Sequence, residues 1–262
     1  MDALKSLEVI GLIPAGGQAR RLAPLPLSKE LYPIGFYVSQ SDGAPRPKVV
    51  SHYLLENMRL AGIRKAFFIL RPGKWDIPAY FGDGALLDMH LAYLTVHVPH
   101  GVPFTLNQAY PFVNQAIVAL GFPDILFQPA DAYRRLLERL IQTEADVVLG
   151  LLPTRQFWKA GMVAVDADNR VLQIIEKPSQ TDLNYMWAFA VWSPRFTRFL
   201  HDFVQTHSVE QELPIGDVIQ ASIVAGLRVE AEPFANGRYL DVGTPADLAT
   251  AIRDLTPDLG LS

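Results

Sequence analysis

Residues 7–17 read LEVIGLIPAGG, and the fold turns on how this stretch is read. The apolar run 7–13, with Glu8 its one charged residue, suits a buried strand, and Pro14, Ala15, Gly16 and Gly17 end it in a glycine-rich turn. Just downstream, residues 47–62 (PKVVSHYLLENMRLAG) predict a helix. Pro47 stands near its first turn, Val50, Tyr53, Leu54, Met58 and Ala61 recur at helical spacing, and Gly62 suits a C-cap. Residues 65–70 (KAFFIL) predict a second short strand. Strand, glycine turn, helix and strand together open an α/β sheet.

The same alternation continues outward. Residues 96–98 and 104–106 are short strand candidates, and 114–120 is apolar but ambiguous between helix and strand. Residues 131–143 (DAYRRLLERLIQT) predict an amphipathic helix with its stripe at Tyr133, Leu136, Leu137, Leu140 and Ile141. Residues 146–152 are nearly all apolar, as a central parallel strand would be. Beyond them the pattern becomes mixed. Runs 162–165 and 171–175 are joined by a hairpin turn at 166–169, 186–192 and 228–233 predict strands, and 195–206, 217–225 and 245–254 predict helices. Residues 36–46 hold Ser39, Ser41, Asp42, Gly43 and Pro45 and read as a turn or short excursion.

Composition bounds the function. The chain has 262 residues, half of them apolar, with a net charge of −4. That allows a sizeable core and carries no general basic footprint for nucleic acid, while a small anion would need only a local positive site. There is no Cys, which excludes disulfides, thiolate metal sites and a Cys nucleophile. No run reaches the roughly 18 apolar residues of a membrane helix, and the N-terminal residues do not read as a signal peptide, so cytoplasm is expected. The six His form no metal-ligand spacing, and no Ser has a nucleophile-elbow setting.

Chemistry concentrates in residues 14–31 (PAGGQARRLAPLPLSKEL). Glycines permit close approach of backbone N–H groups to an anion, and Arg21 and Lys29 can add charge-assisted bonds to phosphate. The spacing is neither a P-loop nor the dinucleotide fingerprint, and a plain strand-to-turn glycine pair with solvated arginines stays open. Asp124 and Asp241 each lie at the end of an apolar approach; if they converge they could hold Mg²⁺, and separately they would serve as turn or cap residues. Glu176 and Lys177, before Pro178, close a predicted strand, and Gln108 could read a base edge through its amide.

These pieces, in this order, resemble the sugar-phosphate nucleotidylyltransferases, also called nucleotide-sugar pyrophosphorylases, with the glucose-1-phosphate thymidylyltransferase and uridylyltransferase branches most similar. The resemblance covers about residues 8–253. The opening motif Ala-Gly-Gly-x-Gly-x-Arg-Leu-x-Pro is matched by Ala15-Gly16-Gly17-Gln18-Ala19-Arg20-Arg21-Leu22-Ala23-Pro24, with Ala19 in place of its last glycine, and the family's Pro-Lys pair by Ser28-Lys29. The base-reading segment is matched at Gln108 and at Asn114-Gln115-Ala116, where Phe112-Val113-Asn114 carries no glycine. Leu120-Gly121 followed by Asp124 resembles the Leu-Gly-Asp metal site with Phe122-Pro123 inserted. Glu176-Lys177-Pro178 is intact, residues 212–217 resemble a Glu-Leu-Glu-Ile-Thr-Asp segment with Pro214 and Gly216 as departures, and residues 239–245 resemble the closing Trp-x-Asp-x-Gly-Thr motif.

The resemblance implies a three-layer α/β/α Rossmann-like nucleotidyltransferase fold, with a central mixed sheet and a small β-rich substrate lobe. Residues 1–153 would be mainly nucleotide-binding, 154–245 mainly sugar-phosphate-binding, and 246–262 a C-terminal helix and tail. It implies an enzyme joining an NTP, with dTTP or UTP favoured, to a sugar 1-phosphate with Mg²⁺. Arg21 would clamp the β and γ phosphates, Lys29 would sit near the α-phosphate, and Lys177 would hold the sugar phosphate. Asp124 and Asp241 would bind Mg²⁺, Gln108 the base, and Ala15, Gly16, Gly17 and Gly121 the nucleotide. Gly161, Glu176 and Asn184 would lie near the sugar. A dimer or tetramer is implied as well. A weakly active or inactive homologue that binds nucleotide or nucleotide-sugar is an alternative reading, as is a cytidylyl or guanylyl transferase for another phosphorylated or acidic sugar.

Overall fold

The apolar run near the N-terminus becomes β1 (Val9–Ala15), which lies deep inside a mixed sheet. The computed structural model describes residues 2–39, 42–97, 100–207 and 212–255. The further strands are β2 (Pro33–Val38), β3 (Pro45–Val49), β4 (Lys65–Leu70), β5 (His90–Thr95), β6 (Ile117–Gly121), β7 (Ile125–Gln128), β8 (Val147–Pro153), β9 (Gly161–Val165), β10 (Val171–Glu176), β11 (Tyr185–Trp192), β12 (Val229–Pro233) and β13 (Arg238–Asp241). The helices are α1 (Asp2–Lys5), α2 (Val50–Leu60), α3 (Asp76–Phe81), α4 (Val102–Asn107), α5 (Tyr110–Val113), α6 (Ala132–Thr143), α7 (Pro194–Thr206), α8 (Ile215–Val224) and α9 (Pro245–Leu255).

Among the described residues the main sheet has nine strands, in the order β10-β9-β11-β6-β1-β4-β5, with β8 pairing both β11 and β12. β1 runs parallel to β4 and β6, and β4 parallel to β5, while β11 is antiparallel to β6, β8 and β9. Side chains alternate between two cores. Ile10 and Leu12 join Val118, Leu120, Phe196 and Ile219 on one face, and Ile13 and Ala15 join Leu54, Met58, Tyr133 and Leu136 on the other. Both faces of the sheet are therefore covered, which gives three layers and explains why the central strands read as continuous apolar runs. Burial of each such Leu or Ile contributes about 1.5–3 kcal/mol. The expected α/β/α class with a mixed sheet is borne out.

Some local expectations change. Pro47 lies in β3 rather than in the first turn of a helix, and α2 starts at Val50. Residues 36–46 are not a simple excursion: β2 and β3 pair antiparallel, so most of this stretch is a hairpin. The strand expected at 96–98 is preceded by β5, which ends at Thr95, and Val98 lies outside the described residues. Residues 104–106 are helical, because Pro103 stands in the first turn of α4, where its fixed φ favours a helix and its missing N–H costs nothing. Of the ambiguous 114–120 run, residues 117–120 fall in β6 and 114–116 form the turn before it.

Candidate active site

β1 and β6 are neighbours that run the same way, so their C-terminal ends open side by side, the usual place for a ligand in an α/β sheet. Past β1 comes the glycine-rich loop, and past β6 come Phe122, Pro123 and Asp124. A cleft there has two lobes, of about 460 and about 430 Å³, which share Val102, Phe122, Asp124 and Glu212.

The first lobe belongs to the loop. Gly16, Gly17, Arg20 and Lys29 line it together with Gly101, Val102 and Thr105 from the start of α4. The Lys29 ammonium donates to the Asp124 carboxylate. Burial works against this ammonium, but the charge and hydrogen bond of Asp124 outweigh it and raise its pKa. Ser28, in place of the proline that the motif resemblance implies, makes use of what a proline lacks. Its N–H and its hydroxyl both donate to Asp76, at 2.6 and 2.7 Å, and so fix the backbone just before Lys29. Gly101 has φ +111°, and an added Cβ would lie 2.4 Å from the Leu213 carbonyl oxygen, so only glycine lets these two segments touch across the cleft.

The second lobe is built from strand ends. β7 and β13 pair antiparallel with Asp241 opposite Ile125, and the next residue, Val242, donates its N–H to the Asp124 carbonyl at 2.8 Å. This ladder carries Asp124 and Asp241 to one lobe, where Arg21 and Lys177 also face. The Asp241 carboxyl is raised by burial and then by the charge of Asp124. Gly243 lets Arg21 and Asp241 approach, since a Cβ there would sit 3.0 Å from Arg21 Nη2 and 2.9 Å from Asp241 Oδ1.

At the far end of this lobe, Glu176 pairs with Gly161 across β10 and β9. Its Oε1 would lie 2.8 Å from a Cβ on Gly161 and 1.9 Å from a Cβ on Gly216, so the carboxylate occupies a slot that both glycines create. Burial raises its pKa, Asp217 adds to this, and the Trp187 hydrogen bond opposes it. Lys177, next in the chain, holds the left-handed backbone conformation at φ +45°, a costly choice for a residue with a Cβ.

The structure thus brings Gly16, Gly17, Lys29 and Asp124 to one lobe, and Arg21, Asp124, Gly161, Glu176, Lys177 and Asp241 to the other. Four expected contributors lie elsewhere. Ala15 is buried in the core at the end of β1. Gly121 is a packing glycine, since a Cβ there would meet Leu54 at 2.4 Å and the Tyr133 hydroxyl at 2.5 Å. Gln108 is exposed at the end of α4, away from both lobes, because the segment before it is a helix and not a strand leading into the cleft. Asn184 is exposed, and its carbonyl accepts the Thr154 N–H at 2.9 Å. Sequence reading missed Gly101 and Val102, although a glycine directly before Val-Pro at a helix start was a usable signal. It also missed Gly216 as a carboxylate cradle and Asp76 as the anchor of Ser28.

Asp124 and Asp241 bring hard carboxylate oxygens to one lobe, which suits a hard cation such as Mg²⁺, while the Lys29 ammonium already occupies Asp124 Oδ2 and would compete with a cation there. No group of three or more His, Asp or Glu is arranged for a metal among the described residues. Mg²⁺ commonly uses one or two carboxylates with phosphate oxygens completing its shell, so the pair meets that pattern. None of the described helices is long and apolar enough to cross a membrane.

Comparison with known proteins bears on the family and the fold. The low-salt glycan biosynthesis nucleotidyltransferase Agl11 of Haloferax volcanii is 24% identical over 255 residues, covering 96% of this chain and 67% of that protein. A glucose-1-phosphate thymidylyltransferase of an Actinoplanes species is 28% identical over 250 residues, covering 92% of this chain and 76% of the other. A solved structure of a UDP-glucose pyrophosphorylase superposes with a TM-score of 0.78 at 17% identity over 95% of this chain and 98% of its own, a likeness of fold. Residues 10–257 match the family model described as nucleotidyl transferase, so the membership expected from the motifs holds and the chain belongs to the nucleotidyl transferase family.

Proposed function

We propose that the protein transfers a nucleotidyl group from an NTP to a sugar 1-phosphate and releases pyrophosphate. The observation that carries this reading is the two-lobed cleft. A glycine loop with basic side chains lines one lobe, a half-buried carboxylate with a lysine lines the other, and Asp124 stands between them. Residues 1–153 would mainly bind the nucleotide and 154–245 the sugar phosphate.

In this reading a sugar-phosphate oxygen attacks the α-phosphorus in line. The new P–O bond forms as the bond to the β-phosphate oxygen breaks, and pyrophosphate leaves with that electron pair. The attacking phosphate is already ionised near neutral pH, so no general base is needed. The protein's share is alignment and charge neutralisation. Gly16 and Gly17 admit the nucleotide to close backbone contact, and Lys29 lies beside the α-phosphate. Arg20 lines the loop lobe, whereas Arg21 faces the other lobe beside Asp241, which favours Arg20 for the leaving phosphates and Arg21 for the junction with the sugar phosphate. Lys177 holds the sugar phosphate and Glu176 accepts from sugar hydroxyls. Asp124 and Asp241 would hold Mg²⁺, which would supply charge neutralisation to the reacting phosphates.

The preference for dTTP or UTP rests on the names of the relatives, since Gln108 lies off the cleft and Val102 and Thr105 form part of that wall instead. A second reading, a homologue that binds nucleotide-sugar with little turnover, is favoured by one feature. Phe122, not a carboxylate, directly follows Gly121 and lines both lobes, packing 5.9 Å from the Trp187 ring. The deciding experiment crosses each NTP with a panel of sugar 1-phosphates in the presence of Mg²⁺ and reads released pyrophosphate. Turnover with a pyrimidine nucleotide supports the transfer reading. Binding of nucleotide-sugar without release in any combination supports the second.

A further inference from the structure

Behind the glycine-rich loop lies another cavity, of about 540 Å³, that the reaction above does not use. Gly17, Gln18, Ala19 and Lys29 line both it and the loop lobe of the cleft, so the loop is a thin partition between two spaces. The opposite wall comes from the turn after β4, where Arg71 and Lys74 stand. Lys29, Arg71 and Lys74 are the cations of this lining, and Asp76 is its one carboxylate. Both Asp76 oxygens are engaged by Ser28.

The cations differ in how they are held. Lys74 is only 4% exposed and donates to the buried Glu30 at 2.5 Å. Arg71 has a buried Nε with no hydrogen-bond partner among the described residues, and its Nη1 reaches only the adjacent Pro72 carbonyl, at 3.5 Å. The Nε itself is closed off from the cavity, so the donors available to a ligand are those of the partly exposed Nη side, whose plane fits two oxygens of one phosphate. The groups also sense one another: burial lowers the Lys74 pKa, and Lys29 and Arg71 lower it further against the pull of Glu30. A bound anion would offset that repulsion.

We propose that this cavity is a phosphate-oxyanion site in which Arg71 and Lys74 hold inorganic phosphate or pyrophosphate, with Lys29 shared between the cavity and the cleft. The anion has two possible sources, pyrophosphate leaving the cleft around the loop or free phosphate from solution. Only the first source depends on the transfer reaction proposed above.

The test is calorimetry on the full chain with sodium pyrophosphate and, separately, sodium phosphate, using the native protein, Arg71→Gln and Arg71→Lys. Arg71 is partly exposed, so both variants should keep the native melting temperature, whereas changing Lys74 would strand Glu30 in the core. Arg71→Gln should weaken pyrophosphate binding by at least about tenfold, and Arg71→Lys should weaken it less, since charge remains but the fork is lost. If phosphate weakens in parallel, the site draws on free phosphate; if only pyrophosphate weakens, it serves the leaving group. Unchanged affinity for both anions in folded Arg71→Gln, or no binding of either to the native protein, overturns the proposal. Failure of the transfer reading would appear elsewhere, as no pyrophosphate release from any NTP and sugar pair, and these titrations need no turnover.

Discussion

The two lobes of the cleft are built on opposite principles. The loop lobe carries its groups on a segment with room around it: nothing lies within 4 Å of where a Cβ on Gly17 would be, and Arg20 is exposed with its Nε on Gln18 at 2.7 Å. The strand lobe carries Glu176 in a slot between Gly161 and Gly216 and joins its aspartates through a backbone ladder. One side can adapt to a flexible polyphosphate, and the other presents a fixed carboxylate to a ligand whose hydroxyls have fixed directions. Stability and activity should therefore separate in the loop lobe and at the exposed Arg21, and move together at the Glu176 slot of the strand lobe.

The largest effect should come from Gly216→Ala. Its methyl would lie 1.9 Å from Glu176 Oε1, so the carboxylate must move. A displacement of that order costs about a hundredfold in kcat/KM, and overpacking costs about 1–3 kcal/mol of stability. Steady-state kinetics with a thermal melt checks this, and a variant with native kinetics would remove the slot from the account.

Next in size, the two neighbouring arginines should divide by substrate. Arg21→Ala should lower kcat/KM for the sugar phosphate by about tenfold or more, because Arg21 lines the strand lobe. Arg20→Ala should mainly raise KM for the nucleotide. Both side chains are exposed, so melting temperatures should hardly change. Identical kinetic signatures for the two variants would erase the distinction between the lobes.

A smaller effect is a pH dependence in the strand lobe. Burial and then Asp217 raise the Glu176 carboxyl above its ordinary value of 4.5. Between the unfolded and folded pKa the native state keeps a proton that the unfolded chain has released, so stability falls as pH rises through that window. Glu176→Gln removes this loss. The difference in unfolding free energy between variant and parent should shift toward the variant as pH rises above the ordinary carboxyl value of 4.5. A difference that stays constant across this rise would show that the carboxyl is not raised.

The smallest change should be Gly17→Ala, whose methyl meets nothing. Unfolding free energy should stay within about 0.5 kcal/mol of the parent, while nucleotide binding weakens because the methyl intrudes on the lobe. A large loss of stability would mean that the loop is as tightly constrained as the strand lobe.

This contrast also explains what could be read in advance. The loop lobe is contiguous in sequence: Gly16, Gly17, the arginines and Lys29 fall within one short stretch after an apolar strand, so local spacing suffices. Asp124 and Asp241 come together only through the β7–β13 ladder, which no local pattern reveals, and their pairing was reached through family order alone. Gln108 was misplaced for a physical reason. Phe104, Thr105 and Leu106 look strand-like by composition, but Pro103 starts a helix whose packing on the sheet outweighs that preference. The same error hid Gly101 and Val102, which sit at the cleft because α4 begins there. The Gly216 slot depends on two segments that meet only in the folded chain, so from sequence it looked like a mere departure from a motif.

The position of β11 has a consequence for how the chain is made. It pairs with β6, β8 and β9, and so seals strands that leave the ribosome before it. Until residues 185–192 have been synthesised, β6 has one unpaired edge, and β8, whose other partner β12 comes later still, has two. Both are strongly apolar, and open edges of that kind pair readily with other chains. Synthesis that stalls before residue 185 should therefore yield aggregating polypeptide rather than a free nucleotide-binding half, which makes this strand the commitment point of biogenesis.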